Sequence, residues 1–352
     1  MRAYRKIAIA LCTVAMGALV ATPGSAQEKQ ASQEKQAAQE KQAEALKLKK
    51  PELTQYKALT SLVDAVSAGK EPAPADVKLR LRPQFVKSTA GVYAPYVLEI
   101  SSGRFTSFPV AIYVRAVSKS APAPVDGKAN YPFDDIYFIS DAKSLRSAAG
   151  DVFEFSRGLQ LPPGEFDVHV AMMETPPRNK SAGPGKRVVH TQAVSVPDFS
   201  SGLTTSSVIL ARSLDDSPQV LTADKQLDEP FTFGGYRITP ASTSSFGKSD
   251  ELLFLFFIYN EAAGPGGKPD VEVNYFFFRA AETKPFSKAA TSSFNPTTLP
   301  AEFDLKAGHQ LVVGQGIPLA SFAPGDYKLE LRITDKVQNQ TITREIPFTV
   351  TQ

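Results

Sequence analysis

The chain has 352 residues, 42% hydrophobic and 10% aromatic, with 23 Phe, no Trp and one Cys; this is a globular composition with room for two domains that each own a core. Of its 39 basic residues, Arg2, Arg5 and Lys6 fall in an N-terminal leader, so the remainder sets 36 basic against 36 acidic side chains, a balance that excludes the electrostatic footprint of a nucleic-acid binder. Cys12 lies in the leader too, so the rest of the chain has no thiol for a disulfide or for thiolate chemistry.

The leader reads as a secretory signal peptide over residues 1–26. A basic start, an apolar run from Ile7 to Ala21 and small residues at Gly24, Ser25 and Ala26 form its three parts, with cleavage after Ala26. The run falls short of the roughly 20 apolar residues that span a bilayer, so membrane contact is expected only before cleavage. Cys12 comes too early for a lipid attachment site and follows Leu11, not a small residue. The protein is therefore expected to be exported, periplasmic or extracellular.

Residues 27–50 form a low-complexity linker in which QEKQAS, QEKQAA and QEKQAE follow one another. A six-residue period advances a helix by about 240° per repeat, so the Ala positions spiral around it and no coiled-coil seam results. An amphipathic helix is expected over 51–69: Leu53, Tyr56, Leu59, Val63 and Val66 share one face, Pro51 opens the segment and Gly69 closes it.

After KEPAPA, residues 76–198 read as short strands separated by Pro/Gly/Ser-rich turns, and 199–352 read the same way. In VKLRLRPQF, Val77, Leu79 and Leu81 should face in while Lys78, Arg80 and Arg82 face water. The most apolar stretch is Glu251–Ala281, where ELLFLFFIYN and DVEVNYFFFRA flank EAAGPGGKP. It reads as a β-hairpin covered on both faces, the centre of the second sandwich, with a milder counterpart in Tyr93–Val117.

The two halves also share a turn-strand signature: LPPGEFDVHVAM at Leu161–Met172 and FAPGDYKLELRI at Phe322–Ile333. Pro163-Gly164 and Pro324-Gly325 predict tight turns that need glycine for positive φ, and Phe166 and Tyr327 predict the first buried residue of the following strand. The fold expected is all-β: two tandem Ig-like antiparallel β-sandwiches preceded by a signal peptide, a low-complexity tract and one amphipathic helix.

No residue pattern assembles a reaction centre. His169 and His190 fall on neighbouring strands, but no cysteine or spaced carboxylate completes a metal set, and metal sites take three or four ligands. Asp198-Phe199-Ser200-Ser201-Gly202 approaches an Asp-x-Ser-x-Ser metal motif but has Gly202 at its last position, and reads as an interdomain turn. The loops Gly264–Lys268 and Gly183–Lys186 lack phosphate-cradle spacing, and Asp134-Asp135 and Asp215-Asp216 are sequence neighbours whose side chains point apart. Tyr93, Tyr96, Tyr113, Tyr137 and Tyr236 leave a sugar-stacking platform open as an alternative, and an unrecognised hydrolase is the remoter one.

The segment Leu203–Val350, through SSVILA, the Gly235–Pro240 stretch, FLFFIYN, PGDYKLELRITD and IPFTV, resembles the β-sandwich region of bacterial secreted proteins that carry a GWxTD domain. A similar tandem occurs in von Willebrand A-related secreted proteins of bacteria, and RLRPQFVKS with YAPYVLEI resembles its start. The GWxTD motif and an A-domain are both missing from this chain. The resemblance implies an exported, non-enzymatic module and carries over no catalytic, cofactor-binding or metal residue; no cofactor is expected, and the partner is expected to be a protein or another envelope component.

Overall fold

The computed structural model describes residues 48–89, 91–101, 108–120, 131–148, 152–175, 185–217, 221–233, 235–280 and 282–352. The segment expected to be a signal peptide, the hexapeptide tract, and the Gly183 and Pro184 positions of one glycine loop lie outside them. Among the described residues no helix is long and apolar enough to cross a membrane.

Helix α1 runs over Lys50–Ser67. Pro51 sits in its first turn, where a missing N–H costs nothing, and the Lys49 N–H donates to Glu52 Oε2 at 2.8 Å. Of the expected stripe, Tyr56, Leu59 and Val63 are buried and Leu53 and Val66 pack against them half-buried; Leu62, outside the stripe, is buried as well. The strands that follow are β1 (Leu79–Pro83), β2 (Val86–Ser88), β3 (Gly91–Ser101), β4 (Val110–Ser118), β5 (Phe133–Ile139), β6 (Arg146–Ala148), β7 (Val152–Leu161), β8 (Gly164–Glu174) and β9 (Arg187–Val196). They form two sheets, ordered β1-β3-β7-β6 with β2 on β3, and β5-β4-β8-β9.

The second half holds β10 (Thr204–Thr205), β11 (Ile209–Asp216), helix α2 (Ala223–Asp228), β12 (Thr232–Phe233), β13 (Tyr236–Pro240), β14 (Ser245–Gly247), β15 (Glu251–Tyr259), β16 (Val271–Arg279), β17 (Ser287–Lys288), β18 (Ser292–Phe294), β19 (Leu311–Pro318), β20 (Gly325–Asp335) and β21 (Gln340–Thr351). Its sheets are ordered β10-β15-β11-β13-β12 with β19 on β15, and β14-β21-β20-β16-β17 with β18 on β16.

The hairpin expected at Glu251–Ala281 is not formed. β15 pairs with β10, β11 and β19, whereas β16 pairs with β17, β18 and β20 in the facing sheet. The loop is an arch between sheets, and the apolarity of both strands has a different cause from hairpin pairing: Phe254, Phe256 and Ile258 meet Val273, Tyr275 and Phe277 across the core. The other face of β15 is covered as well, by Phe233 at 5.6 Å from Phe257 and Phe199 at 5.2 Å from Tyr259, ring centre to ring centre. β3 and β4 likewise lie in different sheets, so the counterpart in the first half is not a hairpin either.

The arch of the second sandwich is pinned by Asp335, whose buried carboxylate accepts N–H groups of Ala262, Val337 and Gln338 at 2.7, 2.8 and 3.2 Å. Beside it, burial chiefly, with the Asp335 charge adding, pushes Glu261 up to about 7 from 4.5. A carboxyl raised in the folded state favours folding below its unfolded value and loses that contribution as pH rises through the folded one. Glu261→Gln should therefore match the parent near pH 4.5 and exceed it above pH 7 by about 1–2 kcal/mol, after allowance for solvent screening. Urea unfolding across that interval checks this, and a constant difference at all pH values would refute it.

The repeat read from the Pro-Gly turns extends to the whole topology. β1-β3-β7 corresponds to β11-β15-β19, and β4-β8-β9 to β16-β20-β21. Gly164 and Gly325 have φ of +140° and +152°, and Phe166 and Tyr327 are buried as the first inward residues of β8 and β20. The chain divides into two compact units, the first Met1–Arg82, Val97–Ser156 and Gln160–Val196, the second Pro83–Tyr96, Arg157–Leu159 and Pro197–Gln352. Pro83–Tyr96 and Arg157–Leu159, which the sequence places in the first sandwich at 76–198, thus belong with the second unit.

Candidate binding surface

The residues considered for chemistry are dispersed by the strand register. His169 stands opposite Thr191 and makes a 2.9 Å hydrogen bond to its hydroxyl, while His190 stands opposite Val170 and so projects from the other face of the sheet. Burial, then the Arg115 charge, pulls the His169 pKa below its ordinary value. His309 Nδ1 accepts the Asp304 N–H at 3.0 Å. Among the described residues no group of three His, Cys, Asp or Glu could hold a metal ion.

Asp134 and Asp135 pair in register with Arg115 and Val114, on opposite faces of β5. Asp198 accepts the Ser200 N–H at 2.8 Å in a local turn, and Asp215 accepts the Ser213 hydroxyl at 3.0 Å, one residue before Asp216 on the same strand. Lys268 is turned away from its glycine loop and donates to the Pro300 carbonyl at 2.7 Å. Tyr93, Tyr96 and Tyr113 are buried, so the five tyrosines make no exposed stacking row. In the Lys/Arg row of β1, Arg82 does not face water: it pairs with Glu99 at 2.6 Å and with the buried Glu154 at 3.4 Å.

In the first unit the outer face of β4, β8 and β9 is occupied by α1. Tyr56, Leu59 and Val63 of the helix join Ala111, Tyr113, Ala171 and Val189 in one apolar cluster. At its edge Arg115, buried among these elements, donates to Asp64 of the helix at 2.6 Å and to the Tyr113 hydroxyl at 2.6 Å, with Asp134 at 3.6 Å. The Tyr113 hydroxyl donates in turn to Asp134 at 2.7 Å, and burial followed by the Asp134 charge holds its pKa well above the ordinary phenol value. The apolar stripe in the sequence foretells the helix, but the ionic clamp joins three distant segments and leaves no local spacing to read.

The matching face of the second unit is built differently. Register places Phe276 where Arg115 stands, and Arg332 and Glu330 where Ala171 and His169 stand. Phe276 and Phe278 point outward from β16, and three cations lie over them: Arg332 4.7 Å and Lys288 4.9 Å from the Phe276 ring centre, Lys328 4.9 Å from that of Phe278. Phe276, Phe278, Lys328 and Arg332, with Glu282, Glu330 and Pro285, line a groove of about 520 Å³. Glu330 takes Arg332 at 2.9 Å and Glu345 takes Lys328 at 2.7 Å, so two of the three cations are steadied over the rings. Apolar faces screened by cations on long, flexible stems can open to a partner, because the rings gain contact while the charges move to the rim. The pattern of NYFFF reads as buried on both sides, so the sequence gives no sign of this surface.

No family model and no curated protein matches the chain. Among solved structures, trypsin-activated alpha-2-macroglobulin from Escherichia coli has 10% identity and a TM-score of 0.21 over 80% of this chain and 17% of that one. Salmonella alpha-2-macroglobulin reacted with methylamine has 11% identity and a TM-score of 0.20, again over 80% of this chain and 17% of that one. The chain therefore spans a small part of the length of either.

Proposed function

We propose that the protein is an exported, non-enzymatic tandem β-sandwich that works as an interaction module in the bacterial envelope. The observation that carries this reading is the outer face of β16 and β20: Phe276 and Phe278 lie under Lys288, Lys328 and Arg332, on the face that α1 occupies in the first unit. The signal-peptide layout of residues 1–26 and the resemblance of Leu203–Val350 to sandwich regions of bacterial secreted proteins support the export part of the reading. The partner is a protein or another envelope component, met by the aromatic rings at the centre and by the paired charges at the rim.

The test is capture from an envelope fraction by the full chain, compared with Phe276→Ala combined with Arg332→Glu. Both positions lie on the outer side of β16 and β20, so the sandwich should keep its melting behaviour while the captured partner falls by tenfold or more. Equal capture by both proteins would overturn the reading, as would glycosidase or esterase turnover that a point substitution abolishes.

A further inference from the structure

Among the described residues one edge of the second sandwich is open. The strand β21 has β20 on one side and, on the other, among these residues only β14, which pairs with Ser245 opposite Thr349 and ends opposite Thr351. The outward N–H of Thr349 donates to the Ser244 carbonyl at 2.9 Å, which fixes the direction of the edge. By the two-residue period, the N–H groups of Thr341, Thr343 and Glu345 point the same way, and Pro347 contributes no donor and ends the row.

Beside this edge lies a groove of about 490 Å³, with Phe85, Phe199 and Ile346 as apolar walls and Thr204, Thr205 and Arg344 as polar ones. Arg344 donates through Nε to Thr205 Oγ1 at 2.9 Å, through one terminal nitrogen to Thr204 Oγ1 at 3.1 Å, and through the other to the Thr343 carbonyl at 3.1 Å. All three acceptors are neutral. A guanidinium has five N–H groups, so one remains on each terminal nitrogen, the pair that grips a carboxylate in the two-pronged arrangement. Burial lowers the Arg344 pKa, in keeping with a cation that has lost water and, among the described residues, has no carboxylate in return. The acid next to it, Glu345, is bound to Lys328.

We propose that the Thr341–Glu345 edge of β21 docks an extended peptide segment of a partner protein, and that Arg344 holds an Asp or Glu carboxylate of that segment. The edge supplies main-chain hydrogen bonds, as in strand addition; the groove walls take an apolar neighbour of the acid, and the fork of Arg344 selects the charge. This site is separate from the aromatic face of β16 and β20, and its test is independent of that reading.

The experiment uses the full chain, labelled with ¹⁵N, and a pair of Thr/Val-rich octapeptides that differ only in a central Asp or Asn. The Asp peptide should shift the amides of Thr343 and Glu345 and the Arg344 Nε–H. The Asn peptide should bind at least tenfold more weakly, and so should the Asp peptide to Arg344→Gln, with Arg344→Lys in between because it keeps charge but loses the fork. The proposal fails if the two peptides bind alike, if neither binds, or if Arg344→Gln binds as the parent does. It also fails if phenylacetate alone competes at equal strength without moving the Thr343 and Glu345 amides, which would mark a pocket for small carboxylates, or if sedimentation shows the edge closed by a second copy of the chain.

Discussion

Arg115→Ala is expected to destabilise the first unit by about 3–5 kcal/mol, the cost of breaking a buried ion pair by deleting one partner. Arg115 is 4% exposed, and it is the cation that faces Asp64 on α1, Asp134 on β5 and the Tyr113 hydroxyl. Its loss leaves the Asp134 carboxylate buried beside the phenol donor, and removes the ion pair between α1 and β4 while the apolar stripe and the Gln55–Thr175 hydrogen bond of 3.1 Å remain. Urea unfolding should show the loss, and hydrogen exchange should show α1 opening ahead of β4 and β8. The control is Arg115→Met with Asp134→Leu, which removes the two most buried charges and leaves the more exposed Asp64 to water; it should recover most of the stability, since apolar replacements of a buried ion pair are often neutral or better. A loss below about 1 kcal/mol for Arg115→Ala would show that the clamp contributes little beyond filling space.

Phe256→Asp should have a larger effect and should unfold the second unit. Phe256 is wholly buried, and its ring lies beside Phe254 in the cluster that unites β15 and β19 with β16, β20 and β21. Truncating a buried Phe costs about 3–5 kcal/mol by itself, and a carboxylate among these rings adds a desolvation cost that no cation in the cluster offsets. Together these approach the whole stability of an ordinary domain, about 5–15 kcal/mol. The apolar cluster under α1 shares no residue with this core, so amides of β4, β8 and β9 should keep their exchange protection while those of β15, β16 and β20 lose it. Loss of protection in all six strands together would contradict the division of the chain into two units.

The alternation of VKLRL, the aromatic runs and the Pro-Gly turns made the all-β class and the turn-strand repeat legible, because a two-residue period and a positive-φ glycine are local demands. Pairing was less legible. ELLFLFFIYN and DVEVNYFFFRA look alike whether they bond to each other or face each other across a core, since both arrangements bury the same side chains; only the register shows the arch. Short strands such as β14, β17 and β18 lack the length to display a period. The surfaces proposed for binding were hidden for a related reason: Phe276 is apolar in an apolar run, and Arg344 is one of two neighbouring charges in TITREIP, so the cations over the first and the open edge beside the second exist only after the sheets form.

Tyr93 lies in a stretch that belongs with the second unit, and its one hydroxyl proton is aimed between the carbonyls of Gln226 and Pro230, 2.7 and 3.0 Å from the oxygen. Lys87, in the same stretch, meets the Tyr259 hydroxyl through its N–H at 3.0 Å. Gly158 packs so closely on Tyr93 that a Cβ there would stand 2.5 Å from the ring. The second unit is thus not a continuous length of chain. A ribosome releases Pro83–Tyr96 well before the residues that will receive it, so this segment must wait with its apolar side uncovered, a period in which a holding chaperone is useful. For the same reason a fragment that begins at Phe199 would lack its own covering pieces, and it should bind a hydrophobic dye that the full chain excludes.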